Sequence, residues 1–318
     1  MPARRRVLVV SDPPETFDPR ADSTYLMIVE ALHRGLEPYV ATLDGLRLDG
    51  TRAVARAHRV APKAPGDRLE RAPEAELFGL DTCHAVLMRK DPPVDDAYLT
   101  ATWILDQAKR ATRVVNDPNG LRTLNEKLSI LSFPDLVPPT YILRRIADLR
   151  ALLRQLGGRM IVKPVFGFAG REILLAREDD PNLGTILEIA TADETRWTVA
   201  QAYLPEAAEG DKRILLVDGR PIGAVLRVPK DGEIRDNFHA GGTPARTELT
   251  SRDLEICARV GPFLVEHGQY FAGIDVIGGY LTEINVTSPT GMQEIDRLEE
   301  RPPERRCAAL FWDGLAPQ

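Results

Sequence analysis

Asp275, Glu283 and Asn285 are the residues whose types and spacing point most directly to chemistry. All three can offer the hard oxygen atoms that magnesium takes. Glu283 and Asn285 are two apart on an expected strand, so they share a face. Asp275 belongs to the partner strand of a hairpin over Gly273–Val286 that turns at Gly278-Gly279. For Asp275 to oppose Glu283, that hairpin should be centred on Gly279, with an odd loop and a glycine bulge. A plain two-residue turn would set Asp275 against Thr282 instead. The plainer alternative is the polar outer face of an ordinary antiparallel sheet, and the trio alone does not decide between the two.

Two lysines add to this set. Lys163 interrupts an apolar strand, Met160–Pro164, just ahead of a glycine loop, Gly167-Phe168-Ala169-Gly170. A lysine in such a strand commonly snorkels to solvent. Lys127, in Asn125-Glu126-Lys127-Leu128, reads as a solvated lysine on a helix over Leu124–Phe133. Each is weak evidence alone. In this order, with the glycine loop and the Asp/Glu/Asn set, they describe a nucleotide site. Ammonium groups would neutralise ATP phosphates while magnesium bridges their oxygens. No Walker A sequence is present, and no G-x-G-x-x-G follows a strand, so the phosphates must be held by other means.

The elements that must position these residues fall into three stretches. The first 120 residues alternate strand and helix signals. Arg6–Ser11 is an apolar strand, and Ser23–Arg34 is an amphipathic helix with Asp22 or Ser23 as N-cap and Gly35 as its stop. Ala85–Met88, Tyr98–Arg110 and Val114–Asn116 continue a parallel βα pattern, and Ala61–Pro73 reads as a surface loop. The second stretch has a helix at Asp148–Leu156, closed by Gly157-Gly158, and a returning strand at Ile173–Ala176. The third begins near Pro205, with strands Arg213–Val217 and Ile222–Val228 around Asp218-Gly219. A polar, glycine-bearing segment, Val228–Thr243, reads as a mobile loop, and Arg252–His267 as a helix ended by Gly268.

Composition narrows the function classes. The chain has 318 residues, 43% hydrophobic and 28% charged, with a net charge of -6. That balance argues against nucleic acid as a partner. No apolar run approaches a membrane span, and the apolar stretch after Arg4, Arg5 and Arg6 is too short for a signal peptide. Cys83, Cys257 and Cys307 make neither a metal spacing nor a disulfide framework, so a reducing cytosol is expected.

Several stretches carry a resemblance. They are Leu87-Met88-Arg89-Lys90-Asp91-Pro92-Pro93, Asn125-Glu126-Lys127-Leu128, Val162-Lys163-Pro164, Ala200-Gln201-Ala202-Tyr203-Leu204-Pro205, Gly210-Asp211-Lys212-Arg213, Asn237 with Ala240-Gly241-Gly242, and Leu281 through Thr290. Together they resemble the prokaryotic glutathione synthetase family of the ATP-grasp superfamily, from Asp12-Pro13 to about Asp296. The M-R-K-D-P-P and L-T-E-I-N-V-T-S-P-T runs are the most specific. The resemblance implies an α/β ATP-grasp fold behind an N-terminal Rossmann-like domain. The expected domains are residues 1–122, 123–204 and 205–318, with ATP between the last two.

The resemblance also implies roles. Lys127 and Lys163 would contact phosphates. Gln201, Tyr203 and Leu204 would line adenine, and Asp211 would take the ribose hydroxyls. Asp275, Glu283 and Asn285 would hold two magnesium ions, with manganese as an alternative. Arg89, Arg213 and Arg227 would face the peptide carboxylates or the reactive centre. Gly167, Phe168 and Gly170 would form a small lid, and Val228–Thr243, with Arg235 and Asn237, a large one. The implied reaction joins γ-glutamylcysteine to glycine through an acyl phosphate, with small molecules as the partners and a homo-oligomer as the assembly. The alternatives are a ligase for another peptide acid and amine, and a nucleotide-binding protein without turnover. Some positions depart from the family pattern. Ala169 replaces a glycine of the small lid, Phe166 a polar residue, and Thr243 an arginine, while Gly291-Met292-Gln293-Glu294 alters a charged run. Arg301–Gln318 shows no clear match.

Overall fold

The computed structural model describes residues 5–167, 172–229 and 242–315. The chain begins with β1 (Arg6–Val10), α1 (Ser23–His33) and β2 (Glu37–Ala41). β3 (Leu46–Asp49), β4 (Arg52–Pro62), β5 (Leu69–Arg71) and β6 (Glu76–Gly79) follow, then β7 (Ala85–Met88), α2 (Asp96–Ala108), β8 (Arg113–Val115) and α3 (Pro118–Thr123). The strand order β2-β1-β7-β8 is parallel. β1 and β7 are buried along almost their whole length, which is why they read as unbroken apolar runs. Asp22 caps α1 as expected, its Oδ1 accepting from the Thr24 amide at 2.6 Å and the Tyr25 amide at 3.2 Å.

Two expectations fail in this stretch. Ala61–Pro73 is not simply a loop, because Val60–Pro62 of β4 pairs antiparallel with Leu69–Arg71 of β5, and Leu69 is buried. Leu124–Phe133 is not an α-helix. α3 ends at Thr123, and the Asn125 side chain accepts from the amides of Lys127 (3.0 Å) and Leu128 (3.1 Å). This side-chain turn substitutes for helical hydrogen bonding, and only a short 3₁₀ turn, Ser129–Ser132, follows.

A four-stranded antiparallel sheet comes next, in the order β11-β10-β12-β9, made of β9 (Thr140–Leu143), β10 (Arg159–Pro164), β11 (Leu174–Arg177) and β12 (Thr198–Ala202). One face packs on α4 (Ile146–Gln155) and α5 (Leu183–Thr191) through Leu149, Leu152, Leu153, Met160, Val162 and Leu187. Strand alternation turns Ile161, Lys163 and Gln201 to the other face.

The last sheet runs β15-β14-β13-β16-β17. It comprises β13 (Asp211–Val217), β14 (Arg220–Val228), β15 (Thr243–Arg246), β16 (Phe271–Ile277) and β17 (Tyr280–Asn285). Its back packs on α6 (Ser251–Glu266), where Ile214, Leu216, Ile274 and Ile284 share a core with Ile256, Val260 and Leu264. The chain then folds back through α7 (Met292–Leu298) and α8 (Cys307–Asp313) onto α1. Trp312 is buried and its Nε1 donates to the Met27 carbonyl at 2.9 Å. Helix α8 thus fastens the first sheet to the last.

Candidate active site

The β16–β17 hairpin sets the first geometry. Its turn is a plain two-residue one at Gly278 (φ 56°) and Gly279 (φ 79°), flanked by the Ile277–Tyr280 pair. Asp275 nevertheless opposes Glu283, and Gly273 opposes Asn285. The expected odd loop is absent. The extra residue is Thr282, a bulge within β17 between the Val276–Leu281 and Asp275–Glu283 pairs. Leu281 and Ile284, three apart, therefore both face the α6 core, while Glu283 and Asn285 face the opposite side with Asp275.

Asp275 is buried in a tight cluster. Arg213 of β13 clamps it with Nε on Oδ1 and Nη2 on Oδ2, the latter at 2.8 Å. Arg227 of β14 approaches Oδ2 at 3.0 Å and also pairs with Asp211. Asn285 Nδ2 donates to Oδ2 at 3.2 Å. Burial alone would raise the Asp275 carboxyl, but the two guanidinium groups outweigh it and hold it well below the usual carboxylate range. Gly273 makes room for this bed, since a Cβ there would lie 2.9 Å from Arg213 Cδ.

Glu283 lies at a looser corner. Lys127 Nζ stands 3.7 Å and Lys163 Nζ 3.6 Å from its Oε1. Both lysines also rest on main-chain carbonyls, Lys127 on Gly167 and Lys163 on Thr282 at 3.4 Å. Neither is the solvated lysine of the plainer alternative, for both are buried. Burial lowers the Lys163 ammonium below its ordinary value, with Glu283 opposing that shift and Lys127 adding to it. For Glu283, burial pulls upward and the two ammonium groups prevail, so its carboxyl is depressed.

Sequence reasoning missed the residue that pins Lys127. Glu126 Oε1 accepts from the amides of Val286 (3.0 Å) and Thr287 (3.1 Å) and from Thr287 Oγ1 (2.9 Å), and its own carbonyl accepts from Ile284. The Asn125 turn is thereby stitched to the end of β17. The only signal in the sequence was an asparagine two places before a lysine, easily read as part of a helix.

Gln201 is buried on β12, its Nε2 donating to Thr140 Oγ1 at 2.8 Å, and Tyr203 and Leu204 are half-buried in the strap leading to β13. Asp211 is committed to Arg227, so the arginine competes with any ribose hydroxyl for it. Arg89 sits apart from the cluster, at the end of β7. It donates to Thr24 Oγ1 (3.1 Å) and the Pro289 carbonyl (3.0 Å), and its Nη1 is buried without a hydrogen-bond partner among the described residues. Ser288 Oγ, not Arg89, takes Asp91. Phe168, Gly170, Arg235 and Asn237, with most of Val228–Thr243, lie outside the described residues.

The donor chemistry fits a divalent cation. Among the described residues no three His, Cys, Asp or Glu side chains form a metal-ligating group. The amide oxygen of Asn285 completes a set with Asp275 and Glu283, all hard oxygens. Glu283 meets its two ammonium groups beyond hydrogen-bond distance, whereas Asp275 would have to share itself with its arginines.

The family profiles described as "Prokaryotic glutathione synthetase, N-terminal domain" and "Prokaryotic glutathione synthetase, ATP-grasp domain" match residues 6–122 and 126–300. A glutathione synthetase of Gloeobacter violaceus is 45% identical over 301 residues, covering 92% of each chain. One from Agrobacterium fabrum is 40% identical, covering 92% of this chain and 91% of its own. Among solved structures, the D-cycloserine synthetase DcsG aligns over 98% of both chains with a TM-score of 0.68 at 14% identity. A RimK-domain ATP-grasp protein of Sphaerobacter thermophilus covers 98% of this chain and 100% of its own, with a TM-score of 0.62 at 17% identity. At those identities the likeness is one of fold, and the fold is ATP-grasp. The profiles and the relatives agree over nearly the whole chain, and the chain belongs to the prokaryotic glutathione synthetase family.

Proposed function

We propose that this chain is an ATP- and magnesium-dependent ligase that joins the cysteinyl carboxylate of γ-glutamylcysteine to the amine of glycine. The observation that carries the reading is the meeting of Lys127 and Lys163 at Glu283, beside Asn285 and Asp275, between the four- and five-stranded sheets. Family membership supports the choice of substrates. The three domains, 1–122, 123–204 and 205–318, are part of the reading, each built around one sheet.

Catalysis here is placement and charge neutralisation. A carboxylate oxygen of the dipeptide attacks the γ-phosphorus of ATP, the bond to the β-phosphate oxygen breaks, and ADP leaves. The glycine nitrogen then attacks the acyl phosphate carbonyl, the carbon–oxygen bond to phosphate breaks, and the amine sheds its proton. No protein nucleophile is required. Lys127 and Lys163 bind the terminal phosphates, while Gln201, Tyr203 and Leu204 flank the adenine. Arg213, locked on Asp275, presents a fixed fork to the developing oxyanion, and Arg227 stands beside it. Asp211 orients Arg227. Arg89 takes the peptide's α-carboxylate. Gly167 covers the phosphates, while Phe168, Gly170 and Arg235, assigned to the two lids that keep water from the acyl phosphate, lie outside the described residues. Glu283, Asn285 and Asp275 would hold magnesium, two ions or manganese in their place, which neutralises phosphate charge when bound.

The test is ADP release over a matrix of peptide acids and amines, with products identified by mass spectrometry. Magnesium-dependent release with γ-glutamylcysteine and glycine is expected. Release only with another pair keeps the ligase reading and ends the glutathione one. Binding of nucleotide without turnover on any pair ends both.

A further inference from the structure

The β16–β17 hairpin contains one residue more than its pairing needs. With Gly278-Gly279 as a two-residue turn, Ile277 meets Tyr280 and Val276 meets Leu281. Without Thr282, the next pair in strict alternation would still be Asp275 with Glu283, and Glu283 would still leave the core face that Leu281 and Ile284 occupy. A chain lacking Thr282 would need no bulge to bring the carboxylates together, so the residue adds something else. What it adds is a buried threonine with a carbonyl beyond the ladder's requirement, and Lys163 Nζ rests on that carbonyl at 3.4 Å. Thr282 is itself tethered, since its Oγ1 donates to the Asp275 carbonyl at 3.1 Å. Bulges re-aim groups beside functional sites, and here the group re-aimed is a main-chain acceptor.

We infer that Thr282 is a positioning residue for nucleotide binding, whose bulged carbonyl seats the Lys163 ammonium between the two sheets, with the Thr282 hydroxyl holding that carbonyl in place. The inference rests on the reading of Lys163 as a phosphate contact. A flexible four-carbon stem carries this ammonium out of β10 across to the other sheet. Glu283 supplies charge but, at 3.6 Å, no tight contact, and it attracts Lys127 as well. The Thr282 carbonyl gives Lys163 an acceptor that Lys127 does not share, because Lys127 has its own on Gly167. Each ammonium group thus has its own main-chain acceptor besides the Glu283 oxygen they share.

The experiment measures affinity for a non-hydrolysable ATP analogue by titration calorimetry in the full-length chain. The variants are Thr282→Val, Thr282→Ser and a deletion of Thr282, the first also in a Lys163→Ala background. Thr282→Val keeps the β-branched shape and removes the tether. It is expected to weaken binding about three- to tenfold, with the KM for the peptide acid unchanged. Thr282→Ser should bind as the native chain does. In the Lys163→Ala background, Thr282→Val should cost nothing further, which a merely structural residue would not show. The deletion, if it folds, should match Lys163→Ala in affinity. If it does not fold, the valine pair decides alone. Native affinity in Thr282→Val, or an undiminished loss without Lys163, overturns the inference. If Lys163→Ala itself binds nucleotide normally, the underlying reading of that lysine fails instead.

Discussion

Asp275 and Glu283 face each other across one hairpin, yet they are held in opposite ways. Around Asp275 the formal charges cancel, with Arg213 and Arg227 set against Asp211 and Asp275 in contacts of hydrogen-bond length. Around Glu283 the contacts are looser, because Lys127 and Lys163 both stand beyond hydrogen-bond reach of its carboxylate, with Glu126 as a second carboxylate beside Lys127. A balanced, closely bonded cluster keeps a fixed shape, as an oxyanion-stabilising arginine requires. A loosely held one can rearrange around its ligand, as a polyphosphate site requires. On the proposed reading, the same two strands carry a closely bonded reactive corner and a looser binding corner.

Removing Asp275 should break the contrast most severely. Asp275→Ala leaves two buried guanidinium groups with too little opposing charge, a loss of about 3–5 kcal/mol of stability. Turnover should fall by about a thousandfold as Arg213 loses its seat. Thermal melting and kcat check the two effects, and a variant that melts like the native chain would mean the cluster is not structural. Lys163→Ala should behave differently. It should lower ATP affinity by about ten- to a hundredfold while the melting temperature stays close to native, because the side chain makes polar contacts, not core packing.

The pH dependence of stability sharpens the same comparison. Asp275 is depressed below its ordinary 3.8, and Glu283 below its ordinary 4.5. The folded state thus binds these protons more weakly than the unfolded chain. Their stabilisation is present in full at neutral pH and is lost as pH falls through those ordinary values toward the folded ones. A melting series from neutral to acid should show this decline, and Asp275→Asn should flatten it. An equally steep acid limb in that variant would place the titrating groups elsewhere.

The sequence made the buried frame legible and concealed the short-range detail. Val7–Val10 and Ala85–Met88 were plain as strands because parallel strands buried on both faces need unbroken apolar runs. β4 was hidden because its inward positions are filled mainly by alanines, Ala53, Ala55 and Ala57, between arginines, which reads as loop composition. The turn at Asn125 reads as helix because Leu124, Leu128 and Leu131 keep a helical period, while the decisive contact is a side chain bonding to its own backbone. That Glu283 and Asn285 share a side is legible from alternation, and Asp275 joins them only through an extra residue in the hairpin. The position of that extra residue was not legible, since a bulge at Thr282 and an odd loop at Gly279 satisfy the same count.

Arg89 gives the smallest expected effect and the finest test, because it belongs to neither corner. Its guanidinium lies 5.4 Å from the Phe271 ring centre and donates to Thr24 and Pro289, which could make it a packing residue only. Its Nη1, however, is buried with no partner among the described residues, and an orphaned donor of that kind costs stability unless something binds it. A peptide carboxylate would satisfy it, with the geometry of a fixed fork that a lysine lacks. Arg89→Ala should therefore raise the KM for the dipeptide about tenfold and leave ATP affinity near native. Arg89→Lys should recover only part of that loss, since a point charge replaces a planar donor pair. If both variants instead lower the melting temperature while the dipeptide KM stays constant, Arg89 serves packing, and recognition of the peptide acid rests with the reactive corner alone.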